Sequence, residues 1–533
     1  MKKRIGKIAF LLTVGTAFSA TAHNAPVSFS EWYEEFRREA VDKGISAQTL
    51  DIAFAEAQIL HDVISRDRKQ PELRQTFQAY LDNAINAVRV KKAKEMRVLH
   101  ADLLENIEKR YGVPAPYLIS FWALETNFGT RKGGYRLIDS LSTLAYDTRR
   151  PAFFRQELLH AVRMVQDGIS PEKMVGSWAG AFGNFQFMPS TYHFFAVDYD
   201  KDGIADLWNS LPDAMASASN YLAAEGWDPK IGWGREVVLP KKFDWDLIEK
   251  EKTVAEWLEQ GVRFVDSRPA EPAETKAVLF MPAGIGGPAF LTYSNFRVIL
   301  KWNNSVLYAI AVGHLADRIG GGQPFSRKLA GRQNDFTMEN ALEMQELLKR
   351  LNLYDGEPDG VLGRKSREGI RAFQKMYDLP ADGYADASLL HFMRLAVNGG
   401  AEREELTFDE ISEIQKILKK GLYYKGPEDG KLGKATENGI KLYRQVYGIC
   451  GEKTDRGLLE KMRLQSVRNL ENGEVDPVVR EYWRQEDEKQ RQEEQKKLLL
   501  KKKNKRKNKM LKGKTKAPAR SARLNAAKKN KNG

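Results

Sequence analysis

Two stretches of this chain repeat each other at an offset of 70 residues, and the repeat divides everything around it into separate units. In the first copy Ala341-Leu342-Glu343-Met344-Gln345 leads through Leu353-Tyr354-Asp355-Gly356 to Asp359-Gly360, Gly363 and Gly369-Ile370-Arg371-Ala372-Phe373-Gln374. In the second, Gln415, Tyr423, Asp429-Gly430, Gly433, Gly439-Ile440 and Tyr443 fall in step. Each copy reads as helix, tight Asp-Gly turn, helix. Glycine supplies the positive φ of the turn, and the apolar positions build a small three-helix core. The spacing assigns residues 335–397 and 405–465 to two such modules.

A chain of 533 residues is too long for one compact domain, so the segment before the repeats must carry its own core. Residues 28–325 read as one large, mainly helical domain. Phe29, Trp32, Phe36 and Ala40 recur at helical spacing, as do Leu81, Ile85 and Val88. Val237–Leu239 and Lys276–Met281 look like strands. A polar, glycine-rich passage at Gly320–Gln323 and Arg332–Asp335 closes the domain.

The two ends differ from the middle. Lys2, Lys3, Arg4 and Lys7 precede an apolar run from Ile8 to Phe18, and Ala20-Thr21-Ala22 supplies the small residues of a cleavage site. Residues 1–22 therefore read as a secretory signal peptide, cleaved before His23, too short to span a bilayer. With Cys450 as the only cysteine, there is neither an intramolecular disulfide nor a lipid-bearing cysteine in the signal region. The expected product is exported, periplasmic, soluble and monomeric. At the other end, residues 475–533 read as a charged helix, Glu481–Lys497, and a basic tail unable to build a core, hence disordered. Lys496–Gly533 holds 17 Lys or Arg and no acid against a net charge of +14 for the whole chain, so the rest is mildly acidic. A nucleic-acid protein would carry a basic face on its fold, so nucleic acid is not the expected partner. The tail instead suits an anionic surface.

Chemistry concentrates in two blocks. In Pro114-Ala115-Pro116-Tyr117-Leu118-Ile119-Ser120-Phe121-Trp122-Ala123-Leu124-Glu125-Thr126-Asn127-Phe128-Gly129 the prolines suit a helix start and Gly129 its end. Glu125 is a carboxylate among apolar neighbours, and inward burial would favour the protonated form that a general acid needs. An isolated glutamate is more often a surface group. The second block, Gly176-Ser177-Trp178-Ala179-Gly180-Ala181-Phe182-Gly183-Asn184-Phe185-Gln186-Phe187-Met188-Pro189-Ser190-Thr191-Tyr192, mixes glycines, aromatics and single polar groups. It suits close approach of a sugar polymer, with Ser177 and Gln186 able to bond substrate or the acid. A glycine-rich turn with core aromatics is the plainer reading.

A third stretch, Asp198-Tyr199-Asp200-Lys201-Asp202-Gly203, places carboxylates at positions 1, 3 and 5 and glycine at 6, as in an EF-hand-like calcium loop. Position 12 is Asn209 rather than glutamate, and Asp213 offers a late carboxylate instead. The alternative is an acidic turn capping the next helix. No cofactor is required; calcium, where bound, is structural.

Leu124–Gly129, the Gly176–Tyr192 block, Asp206-Leu207-Trp208 and Ala218-Ser219-Asn220-Tyr221-Leu222 occur in this order and closely resemble the membrane-bound lytic transglycosylase B family. The resemblance spans roughly residues 28–325 and implies a lysozyme-like helical catalytic domain. It implies Glu125 as the sole catalytic acid/base, with Ser177, Gln186 and Tyr221 lining the cleft. In Trp302-Asn303-Asn304-Ser305-Val306-Leu307-Tyr308, Asn303 and Tyr308 match a third active-site segment, while Trp302 stands where the family usually has tyrosine. The paired repeats resemble a small peptidoglycan-binding module. The first copy includes Asp382-Gly383; the second carries Gly448-Ile449-Cys450-Gly451 in that place. The resemblance implies a lytic transglycosylase that cuts peptidoglycan strands between N-acetylmuramic acid and N-acetylglucosamine, leaving 1,6-anhydro ends. The rival readings are a hydrolytic muramidase and a catalytically silent wall-binding scaffold.

Overall fold

The structure, a computed structural model, describes residues 28–69, 77–240, 243–326, 336–397, 406–447, 449, 454–466 and 477–514. The signal peptide expected over residues 1–22, the Arg332–Asp335 passage, and Gly448, Cys450 and Gly451 lie outside the described residues.

The first helix, Phe29–Asp42, starts where Ser28 and Glu31 form a reciprocal capping box, and it buries Trp32, Phe36 and Ala40. The spacing Leu81, Ile85, Val88 predicts one continuous helix. The structure breaks it instead: one helix ends at Ala84, and the Asn86 side chain accepts from the Arg89 N–H to start Ala87–Leu99. That restart turns Val88 out to solvent, 79% exposed. A local cap overrides the periodic pattern there.

The helices of residues 28–326 share one large apolar core, at whose centre the helix Val306–Ile319 packs against Ala115–Thr126. Gly313 of Val306–Ile319 makes room for Trp233, whose ring would lie 2.3 Å from a Cβ there. A five-stranded antiparallel sheet is inserted between these helices. Its strands lie in the order Glu251–Thr253, Lys276–Phe280, Ala289–Thr292, Gly234–Val238, Arg263–Phe264. Val237 faces Ala289, and Val278 faces Thr292. The sheet has its own core of Val237, Trp257, Leu279, Leu291 and Tyr293.

Each repeat forms three helices: Met338–Arg350, Arg364–Met376 and Ala387–Val397, then Phe408–Lys420, Lys434–Tyr447 and Arg456–Ser466. The Asp-Gly turn is locked the same way in both. Buried Gln345 donates to Asp359 Oδ1 (2.9 Å) and Ser366 Oγ (3.0 Å) while its carbonyl accepts from the Gly360 N–H (2.8 Å). Gln415 repeats this with Asp429 (2.8 Å), Thr436 (3.1 Å) and Gly430 (2.9 Å). These are the residues the repeat pattern picks out, and their role is internal: a buried amide must be satisfied on both sides.

The first module contacts the segments that join the strands of the preceding domain. Asp382 Oδ2 accepts from the Ile285 N–H (2.9 Å), Arg371 pairs with Glu249 (3.4 Å), and Lys375 pairs with Asp246. After the second module, the helix Pro477–Lys514 buries Val479 in that module's core, and the Trp483 indole donates to the Leu422 carbonyl at 2.7 Å. This helix contains the charged segment expected at Glu481–Lys497. The side chains of residues 498–533, on which the anionic contact of the tail depends, lie outside those described. No helix among the described residues is long and apolar enough to cross a membrane.

Candidate active site

The helix that carries Glu125 runs from Ala115 to Thr126, opened by extended Pro114 and by Pro116 in its first turn. Every residue from Tyr117 to Ala123 is buried, so the helix is sunk in the core on all sides. Glu125 emerges half-buried one residue before its end. The helix stops abruptly because Asn127 (φ 49°), Phe128 (φ 61°) and Gly129 (φ 76°) are successively left-handed. Left-handed backbone at an aromatic residue such as Phe128 is strained, and only firm surrounding contacts hold it.

Those contacts converge on Asn184. Its Oδ1 accepts from the Trp122 indole N–H (3.1 Å), its amide N–H groups donate to the Leu207 and Trp208 carbonyls (both 3.2 Å), and its own carbonyl accepts from Thr126 Oγ1 (2.8 Å). Asn184, through its side chain and its backbone carbonyl, thus ties the end of the Glu125-bearing helix to the glycine-rich loop and to the Leu207-Trp208 segment. Glycine is required where the loop passes the following chain: a Cβ on Gly133 would lie 2.0 Å from the Gly176 carbonyl oxygen.

Glu125 Oε1 accepts two hydrogen bonds, from the Trp302 indole N–H at 2.9 Å and from the Tyr308 hydroxyl. Burial first, and the neighbouring Glu125 charge second, push the Tyr308 hydroxyl far above its ordinary range, so it remains a donor. Tyr221 donates from its hydroxyl to the Lys301 carbonyl (3.1 Å), and its ring meets Trp302 edge-on at 5.2 Å. Burial raises its hydroxyl as well. Asn303 is exposed at the joint between the helices Ser294–Trp302 and Val306–Ile319. Ser177 accepts at Oγ from the Ala181 N–H (3.1 Å), within the loop. Gln186, left-handed at φ 50°, donates to the Lys132 (3.3 Å) and Gly183 (3.2 Å) carbonyls. The structure therefore joins Glu125 directly to Tyr308 and Trp302, while these contacts place Ser177 and Gln186 in the bracing of the loop. Trp302 and Asn184 are the residues that sequence reasoning passed over. Trp302 departs from the family pattern; Asn184 is a polar residue between glycine and phenylalanine, a signal for a satisfied buried amide.

The acidic loop lies apart from Glu125 in the chain. Carboxylate oxygens of Asp198, Asp200 and Asp202 lie within 4.8 Å of one another, and Asp198 Oδ1 is buried without a hydrogen-bond partner. That orphaned oxygen fits a cation. Asp213 does not join the trio. It is fully buried and accepts from the N–H groups of Tyr199 (2.7 Å) and Asp206 (3.0 Å), so it braces the loop from beneath. Burial raises its carboxyl above the usual range. Asn209 donates to Asp206 (2.9 Å).

The profile of the family described as transglycosylase SLT domain matches residues 28–317, and that of a putative peptidoglycan binding domain matches residues 337–393. Over 227 residues the chain is 30% identical to the membrane-bound lytic murein transglycosylase B of Escherichia coli (strain K12). That alignment covers 41% of this chain and 61% of the relative, less than two thirds of its length. Crystal structures of SltB3 from Pseudomonas aeruginosa, in complex with NAG-anhNAM-pentapeptide and with NAG-NAM-pentapeptide, are 41% identical with a TM-score of 0.66. They align with 69% of this chain and with 99% and 100% of their own.

Proposed function

Because this chain belongs to the transglycosylase SLT domain family, we propose that it is an exported, periplasmic lytic murein transglycosylase acting on peptidoglycan strands. The observation that carries the reading is the setting of Glu125: a half-buried carboxylate whose Oε1 accepts from Trp302 and Tyr308 beneath a wall of aromatic rings. Hydrolytic glycosidases use a second carboxylate as nucleophile or base. The segments Pro114–Gly129, Gly176–Tyr192 and Trp302–Tyr308 hold no carboxylate besides Glu125, which supports a reaction in which the substrate supplies a reacting group.

The reaction follows. Protonated Glu125 gives its proton to the oxygen linking N-acetylmuramic acid to N-acetylglucosamine as the C1–O bond breaks. The carboxylate left behind takes the proton of the muramic C6 hydroxyl as O6 bonds to C1. Atoms balance without water, and the product is a 1,6-anhydro sugar. A group that serves both steps must give its proton and take it back, and the Trp302 and Tyr308 donors hold the Glu125 carboxyl in place for both. Tyr221 and Tyr308 border the charge that develops at C1. The first module, matched by the peptidoglycan-binding profile, holds the same polymer beside the cleft. Release of soluble muropeptides from purified sacculi tests the activity; sacculi left intact by folded protein contradict it.

Calcium, held by Asp198, Asp200 and Asp202, would neutralise the crowded oxygens of the loop and relieve the unpaired Asp198 Oδ1. Millimolar calcium should then raise the melting temperature by binding the folded state, with a modest effect because Asn209 supplies no carboxylate. An unchanged melt across calcium and chelator leaves the loop a helix-capping turn.

A further inference from the structure

Both repeat modules expose an apolar edge at the same place in their fold. Met338 opens the first helix of the first module, directly after its cap Thr337, and is 70% exposed. Phe408 opens the first helix of the second module, directly after Thr407, and is 61% exposed. Each side chain lies across the glycine of the Asp-Gly turn. A Cβ on Gly360 would stand 2.7 Å from Met338 Cγ, and one on Gly430 would stand 2.6 Å from the Phe408 ring. Both glycines are left-handed, at φ 73° and 62°. Exposed Val361 adjoins the turn in the first copy and exposed Leu432 in the second, where Lys431 stands at the position of Val361. Buried Gln345 and Gln415 fix the turn from beneath, so the edge is set before any ligand arrives. Single exposed apolar residues are ordinary on a surface, but packing has no reason to place them twice over the same turn.

Other sides of the first module are engaged. Its middle helix and Asp382 meet the preceding domain at Glu249, Asp246 and the Ile285 N–H. Its third helix packs on Arg456–Ser466 of the second module, where Asp378 pairs with Lys461 at 3.9 Å. From this arrangement we infer that the Met338–Gly360 edge and its counterpart Phe408–Gly430 hold the N-acetylated glycan strand of peptidoglycan, with sugar ring faces and acetamide methyls lying on the apolar side chains. The inference rests on the reading of the first module as a holder of that polymer, and extends it to the second. Charge favours the sugars over the stem peptides. Glu339 and Asp359 adjoin Met338 and Gly360 in the chain, as Asp409 and Asp429 adjoin Phe408 and Gly430. Carboxylates accept hydrogen bonds from sugar hydroxyls and repel the carboxylates of a peptide. Two equivalent platforms also suit a ligand that itself repeats. Asp382-Gly383 has a different task, because its carboxylate is engaged by the Gln374 amide and the Ile285 N–H. The second copy, with Gly448-Ile449-Cys450-Gly451 in that place, therefore keeps its glycan edge without it.

The test is cosedimentation of the full-length Glu125→Gln protein with purified sacculi, and with sacculi stripped of their stem peptides. In that background Met338→Ser and Phe408→Ser are each expected to weaken binding about fivefold, and together more than about tenfold, on both materials alike. Met376→Ser, which removes another exposed methionine of the first module, should leave binding unchanged. Thermal melts establish that each variant is folded; should the double variant not fold, Val361→Ser decides, with weaker binding to stripped sacculi expected. Undiminished binding by the folded variants overturns the inference. So does a loss seen on intact sacculi and absent on stripped ones, which would make the edge a peptide reader, or an equal loss in Met376→Ser. A protein with both edges intact that fails to bind sacculi would instead remove the wall-holding role of the modules, so the two failures are distinguishable.

Discussion

Glu125→Gln is expected to lower glycan cleavage by at least about a thousandfold, because an amide can neither give the proton nor take it back. The fold should survive. The glutamine carbonyl can still accept from Trp302 and Tyr308, so the two donors that converge on Oε1 keep a partner. Binding to sacculi should survive too, since the first module stands on its own core of Met344, Leu348, Ile370 and Phe373. The checking measurement is turnover on purified sacculi beside a thermal melt. Near-normal turnover in a folded variant would remove Glu125 from the chemistry.

The second large effect belongs to Asn184→Ala. Truncation strands the buried Trp122 indole N–H, while the Leu207 carbonyl keeps the residue 184 backbone N–H and the Trp208 carbonyl keeps the Lys132 ammonium. A stranded buried donor costs about 1–3 kcal/mol, so the expected loss of stability is about 2 kcal/mol. Activity should fall with stability, because the Glu125-bearing helix, which ends in the left-handed run Asn127–Gly129, loses its Trp122–Asn184 bond to the loop and keeps only that of Thr126 to the backbone carbonyl of residue 184. Urea unfolding followed by tryptophan fluorescence reads the effect. A midpoint that does not move would mean that these hydrogen bonds do not hold the site together.

The fold class could be read from the sequence wherever a local signal and the tertiary environment agree. Phe29, Trp32, Phe36 and Ala40 form one buried stripe because Ser28 and Glu31 cap the same helix that their spacing predicts. The repeats are visible because a buried glutamine and an Asp-Gly turn must recur together for either to be satisfied. The pattern misleads at Val88, where the Asn86 cap restarts the helix in a new phase. At the site, Glu125 and Tyr308 are both apparent, 183 residues apart, through resemblance. Their hydrogen bond depends on how the helix Val306–Ile319 packs, which no local signal carries. Trp302 is discounted by its departure from the family pattern, yet its N–H donates to Glu125. Asp213 offers the right chemistry for a cation but is turned under the loop, where buried backbone N–H groups claim both its oxygens.

In the proposed reaction the substrate's own C6 hydroxyl, rather than water, closes on C1. Mass spectrometry of the fragments released from purified sacculi by the full-length protein tests it most directly. The account predicts muropeptides with 1,6-anhydromuramic acid ends, each lighter by the mass of one water than its hydrolysed counterpart. Fragments carrying that water, with reducing ends, would contradict it and make the enzyme a muramidase.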